Sequence, residues 1–208
     1  MTNRRVLVAA GGTAGHVMPA LAVAEELVRA GAEVTFAGTP ERAEAELVRA
    51  AGYPFDPFSV RGLPRRPSLG LARALALDVA APAACIRILR RRRPHAVLGG
   101  GGYVAGPMLL AARTLGIPRV LTEADAHLGL ANRLAAPLAD RVFLAYPLPG
   151  RRPPRYQVVG RPVLRAYFET TRAEARAAST TPPWPPTGPT AWRTASSCTS
   201  PGRATTST

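Results

Sequence analysis

Twice in this chain a short apolar run breaks directly into a cluster of glycines, and each cluster is followed by an apolar-periodic segment. The first is Val6 to Ala10 followed by "GGTAGH"; the second is "HAVL" followed by "GGGGYVAGP", Gly99 to Pro107. A short apolar run that ends in a glycine turn and reopens as a helix reads as a buried parallel strand. The alternation continues elsewhere. "EVTFAG", "PRVLTEA", "DRVFLAYP" and "YQVVG" read as strands, and "PERAEAELVRAAG", "MLLAARTLG" and "LGLANRLAAPLA" as helices. Pro19 suits the first position of a helix running through "ALAVAEELVRA" to a stop at Gly31, with Gly11 to Val17 as a loop before it. "YPFDPFSV" is extended and proline-broken. The long helical stretch "SLGLARALALDVAAPAACIRILRRRRP" carries Pro82 as a kink or break. The expected fold class is α/β, a Rossmann-like parallel sheet with helices on both faces. In such sheets ligands bind at the carboxyl ends of the strands, where both glycine loops lie.

Composition narrows the chemistry. The 208 residues are 47% hydrophobic, enough for a real core. All 27 basic residues are arginine, so no P-loop lysine, Schiff base or lysine general base is available. A formal net charge of +14 favours anionic partners: nucleic acid, anionic lipid or phosphorylated substrates. No nucleic-acid motif or aromatic interleaving accompanies the charge, so no nucleic acid is expected as a partner. Cys85 and Cys198 lack ligand-like spacing and imply no disulfide framework. Neither a signal peptide nor a membrane span is visible, which makes a cytoplasmic protein the default.

The first loop can hold an anion. Gly11, Gly12 and Gly15 let the backbone approach a ligand, and their N–H groups, with a helix amino end beyond, suit a phosphate. Thr13 adds a hydroxyl donor, and His16 can donate to a phosphate or act as a base. The spacing is not G-x-G-x-x-G, and "AGTPE" ends the second strand without a ribose-binding acid, which disfavours a dinucleotide. A tight turn that needs glycine only for packing is the plain alternative. The second glycine loop lowers it, because two such loops on one sheet suggest two walls of one phosphate-binding cleft. Tyr103 either packs over a sugar or seals a helix start. In "TEADAHLGLANR", Glu123, Asp125 and His127 would share a face of a continued strand. A metal site there is conceivable; Glu123 or Asp125 as a sugar-hydroxyl ligand or general base fits better, against the plain reading of solvated loop carboxylates. "RILRRRRP" is either a solvated helix end or, with Arg66, Arg73 and the leucines between Leu69 and Val79, an arginine-rimmed patch for an anionic membrane surface.

From Ser179 to Thr208 there is no Val, Ile, Leu, Met, Phe or acidic residue. Such a stretch cannot offset its ordering entropy and reads as disordered. Its Pro, Thr, Ser, Arg, Ala and Gly are what GC-rich codons yield off-frame, so an out-of-frame tail is favoured over a natural one.

Together, "GGTAGHVMPALAVAEEL", "GGGGYVAGP" and "VVGRPV" resemble the MurG family over about Arg5 to Arg165. These are peripheral N-acetylglucosaminyltransferases of peptidoglycan synthesis with the two-domain GT-B arrangement. The resemblance implies transfer of N-acetylglucosamine from UDP-N-acetylglucosamine to lipid I (undecaprenyl-pyrophosphoryl-N-acetylmuramoyl-pentapeptide), giving lipid II. It also implies a location on the cytoplasmic face of the bacterial membrane and no cofactor or metal. Thr13, Ala14 and Gly15 match the family's donor-contact segment, and His16 matches its loop histidine, the candidate base ahead of Glu123 and Asp125. Gly101, Gly102 and Tyr103 match the acceptor pyrophosphate side. Three positions depart from the family: Ala14 stands for a glycine, Asp125 for the donor-contacting asparagine, and the donor-contacting arginine is either displaced by one residue, to Arg165, or lost. The implied organisation is an acceptor-binding domain over 1–160, a linker or helix over 161–178 towards a donor domain, and the tail over 179–208. The alternatives are a non-catalytic polyprenyl-pyrophosphate or anionic-membrane binding module, and another GT-B glycosyltransferase.

Overall fold

The computed structural model describes residues 4–12, 14–40, 43–60, 70–167 and 169. Thr13, the side chain of Ala14, the side chains of the stripe between Arg66 and Val79, and the 179–208 stretch lie outside the described residues. Met1–Arg165 form one compact unit; of the second, Ala166–Thr208, only residues 166, 167 and 169 are described.

Among the described residues seven strands form one parallel sheet: β1 (Arg4–Ala9), β2 (Ala32–Gly38), β3 (Phe55–Pro57), β4 (Ala96–Gly99), β5 (Arg119–Glu123), β6 (Arg141–Leu144) and β7 (Tyr156–Val158). The spatial order is β3-β2-β1-β4-β5-β6-β7. Among the described residues five helices connect them: α1 (Ala14–Arg29), α2 (Ala43–Ala50), α3 (Gly70–Arg92), α4 (Ala105–Thr114) and α5 (Leu130–Ala135). The expected Rossmann-like class is what forms. β1 pairs with β2 on one side and with β4 on the other, Val6 opposite both Val34 and Ala96. The chain therefore reverses its direction of winding between β1 and β4. At such a switch point the loops leaving the two strands diverge and open a crevice.

Successive strand residues feed opposite faces, the period of an extended chain. Leu7, Ala9, Val97 and Leu121 enter a core with Leu89 of α3 and Met108 and Leu109 of α4. Val8, Ala10, Phe36 and Leu98 enter the other, with Val17, Leu21 and Ala24 of α1 and Val48 of α2. Both faces are covered, so these strands carry near-continuous apolar runs. Cys85 lies in the first core, and burial pushes its thiol pKa up to about 12.

Two element boundaries differ from the sequence expectation. Helix α1 starts at Ala14, not at Pro19, which places Gly15 and His16 in its first turn. Pro19 removes the N–H that would reach back to the Gly15 carbonyl, but Gly15 is exposed, so solvent can take that carbonyl and the helix tolerates the proline. Helix α3 is continuous through Pro82, held by the burial of Ala81, Cys85, Ile88 and Leu89 beside α4.

The arginine run at the end of α3 has a partner that neither reading of it foresaw. Asp56 on edge strand β3 is 4% exposed. Its Oδ2 accepts from Arg92 Nε at 2.6 Å, and its Oδ1 from Arg92 and Arg91 at 2.9 and 2.7 Å. Burial pushes the carboxyl pKa up, but the hydrogen bonds and charges of Arg92 and Arg91 outweigh that and hold it below the ordinary carboxylate value.

Candidate functional site

The crevice at the switch point is built from the loops after β1 and β4, which are stitched together. The Gly100 N–H donates to the Ala9 carbonyl at 2.8 Å. Gly99, Gly100, Gly101 and Gly102 lie where a side chain would be crowded. A Cβ on Gly100 would stand 2.7 Å from Ala10 Cβ and 2.9 Å from Ala20 Cβ, and one on Gly102 would stand 2.0 Å from the Gly11 carbonyl oxygen. Gly12, Gly101 and Gly102 also adopt φ of +98°, +100° and +77°, a region that L side chains avoid. The two loops are therefore one continuous floor, whereas the sequence suggested two facing walls.

His16 lies over this floor. A Cβ on Gly101 would meet His16 Cδ2 at 2.6 Å, so the imidazole occupies the space the missing side chain leaves. Tyr103 lies against Gly12, with its hydroxyl 3.3 Å from Thr39 Oγ1. That contact braces the loop after β4 against the end of β2. The amino end of α1 opens on the same space and favours negative charge there.

Beyond the floor a cavity of about 620 Å³ extends between α4 and α5. Gly12, His16, Gly102 and Tyr103 line its polar end. Pro107, Leu110, Leu130, Leu134 and Leu138 line the rest, with Val60 and Pro82. Such a space takes a ligand with a polar head and an apolar body.

Glu123, Asp125 and His127 all line this cavity, but they do not share a strand face. β5 ends at Glu123, and the chain turns away. The Glu123 carboxylate, 3% exposed, is engaged at both oxygens. Oε1 accepts from the Asp125 N–H at 3.1 Å, and Oε2 from the Gly129 N–H at 3.1 Å and from Asn132 Nδ2 at 3.0 Å. Glu123 thus ties the loop to the start of α5, leaving Asp125 and His127 exposed on the cavity side. Among the described residues, no three His, Cys, Asp or Glu side chains are grouped to hold a metal ion.

The other sequence candidates separate. Gly11 is buried beneath Gly102, and Gly15 is exposed in the first turn of α1. Arg165 lies on the far half of α1, where its N–H meets Glu25 at 3.4 Å and its guanidinium meets Glu26 at 3.9 Å. The sequence reading passed over Asn132, which is 2% exposed and lines the cavity. The available signal was one amide among the apolar positions of "LGLANRLAAPLA".

The glycosyltransferase family 28 N-terminal domain matches residues 6–144. A UDP-N-acetylglucosamine--N-acetylmuramyl-(pentapeptide) pyrophosphoryl-undecaprenol N-acetylglucosamine transferase of Methylococcus capsulatus is 51% identical over 144 residues, 69% of this chain and 41% of that protein. Its namesake in Acidithiobacillus ferrooxidans is 50% identical over 164 residues, 77% of this chain and 44% of that protein. The crystal structure of Acinetobacter baumannii MurG superposes with a TM-score of 0.66 at 34% identity, covering 76% of this chain and 46% of that one. The chain spans less than half the length of these relatives.

Proposed function

The chain belongs to glycosyltransferase family 28 through its N-terminal domain, and on that premise we propose that it is the acceptor-binding half of an N-acetylglucosaminyltransferase that converts lipid I to lipid II. The observation that carries this reading is the pairing of an anion-suited floor with an apolar cavity of about 620 Å³. The pyrophosphate lies on the glycine floor at the amino end of α1, and the sugar and lipid extend towards α4 and α5. In the complete reaction the acceptor C4 hydroxyl attacks the anomeric carbon of UDP-N-acetylglucosamine. The C–O bond to UDP breaks as the new one forms, and a base takes the hydroxyl proton. His16 is the candidate base, since it borders both the floor and the cavity. Asp125 is a second candidate or a ligand for a sugar hydroxyl. Glu123, with both oxygens engaged, acts by holding the loop.

Isothermal titration of the 208-residue chain with a water-soluble, short-chain lipid I analogue tests this. Saturable binding is expected, weakened about tenfold in His16→Ala through loss of a hydrogen bond to a charged group. A chain that takes up UDP-N-acetylglucosamine and ignores the lipid I analogue would reverse the assignment.

The cavity mouth also supports peripheral attachment to the cytoplasmic face of the membrane. Leu130 and Leu134 are 67% and 59% exposed, and Leu110 beside them is 38% exposed. Exposed Arg113 and Arg133 stand on the same two helices, and apolar residues among arginines suit an anionic bilayer surface. No helix among the described residues is long and apolar enough to cross a membrane. In flotation assays the chain should rise with vesicles containing anionic phosphatidylglycerol, and Leu130→Asp/Leu134→Asp should lose most of that binding. Equal flotation of both proteins would remove this surface from consideration.

A further inference from the structure

The amide of Asn132 has one allowed orientation. Its Nδ2 faces two acceptors, Glu123 Oε2 at 3.0 Å and the Thr122 carbonyl at 3.3 Å. Turning the amide over would set Oδ1 against both oxygens, with no donor between them. The allowed orientation leaves Oδ1 as the one buried side-chain polar atom among the described residues with no hydrogen-bond partner. Buried acceptors in folded proteins are nearly always paired, and an unpaired one bears the desolvation cost of that group. This one belongs to a residue in the cavity wall. Its amide adjoins Gly101 and His16: a Cβ on Gly101 would lie 3.4 Å from Asn132 Nδ2 and 2.6 Å from the imidazole. Glu123 is itself held by the backbone N–H groups of Asp125 and Gly129, so the amide is aimed by a braced loop.

We propose that Asn132 contacts the ligand: its Oδ1 accepts a hydrogen bond from an O–H or N–H group of the sugar held beside the pyrophosphate, and Glu123 is the positioning residue that turns the amide. This rests on the acceptor-site reading above. The chemistry is selective. Ionised phosphates offer only acceptors, so the pyrophosphate cannot satisfy Oδ1, whereas a sugar hydroxyl or acetamido N–H can.

The test compares two probes on the full chain by calorimetry: a short-chain lipid I analogue, and the same polyprenyl pyrophosphate without its sugar. Asn132→Leu is expected to weaken the first about three- to tenfold, the span of one neutral hydrogen bond, and to leave the second unchanged. Glu123→Gln frees the amide to turn over and gives the same selective loss. Equal weakening of both probes, or of neither, overturns the proposal, because a merely structural role would not distinguish a sugar from its absence. The wild-type chain supplies a readout that needs no variant to fold. With carbon-13-labelled asparagine, the Asn132 Cγ resonance should move when the sugar-bearing probe binds and stay in place with the sugar-free one. A bound sugar-bearing probe that leaves it unmoved refutes the contact. Failure of both probes to bind would overturn the acceptor-site reading, and this inference with it.

Discussion

Gly102→Ala should lower the stability of the chain by about 3 kcal/mol or more, the sum of a left-handed backbone penalty and an overpacking penalty. The added Cβ would stand 2.0 Å from the Gly11 carbonyl oxygen, at a φ of +77°. A flexible side chain could move aside; a backbone carbonyl at the base of α1 cannot do so without parting the two loops. At about 2–4 °C per kcal/mol for a chain of this size, the melting temperature should fall by about 6–12 °C. Binding of the lipid I analogue should weaken too, because the turn leading into α1, which carries His16, rests on this contact. Gly106→Ala is the control: no atom lies within 4 Å of its added Cβ, and its φ is ordinary. Thermal unfolding of the two variants decides the matter. A Gly102→Ala protein that melts within about 2 °C of the wild type would mean that the loops do not depend on each other.

Asp56→Asn should be the next most damaging change, at about 2 kcal/mol near neutral pH, because it replaces a charge-assisted acceptor by an amide whose NH₂ faces guanidinium donors. Arg91 is 61% exposed and contributes the smaller share, since water screens it; Arg92, at 34%, makes the paired contact. The effect should fade in acid. The folded pKa of Asp56 lies below its ordinary value of 3.8. The stabilisation is therefore fully present above that value and is lost as pH falls through the lower, folded one. Urea unfolding at pH 7 and at about pH 3 should show the wild type converging on Asp56→Asn. A gap that stays constant across that range would show that the ion pair contributes nothing. The clamp also bears on the site. It ties the edge strand to the end of α3 just before Phe58, whose N–H pairs with the Gly38 carbonyl, and Val60, which lines the cavity.

The alternation of strands and helices was legible because a parallel strand covered on both faces must be apolar at nearly every position. Val6 to Ala10 could be nothing else once a glycine turn followed. The extended course of edge strand β3 was legible in "YPFDPFSV", but its ion pairing was not. Its sequence, Phe55-Asp56-Pro57, pairs a buried acid with arginines thirty-five and thirty-six positions away, and local sequence carries no trace of that pairing. The start of α1 was misplaced for a related reason. Proline is a helix-start signal only when nothing upstream can extend the helix, and Ala14 to Met18 do extend it.

The same division runs through the site. From the sequence alone, both glycine loops, their position after strands and the candidacy of His16 could be read, because backbone freedom and hydrogen-bonding capacity are properties of a residue and its near neighbours. Only the tertiary structure decided that Gly100 and Gly102 are small to admit Ala10 and the Gly11 carbonyl. It also decided that Glu123 holds a loop, that Asn132 presents an unpaired oxygen, and that two of the four consecutive arginines are committed to Asp56. The glycine contacts and the Asp56 pairing depend on which groups the sheet order brings within about 3 Å of each other, the range over which a hydrogen bond or a steric contact acts, whereas the Glu123 and Asn132 contacts depend on how the segment after β5 turns back on itself. The strand order, set by packing over the whole chain, is where that information resides.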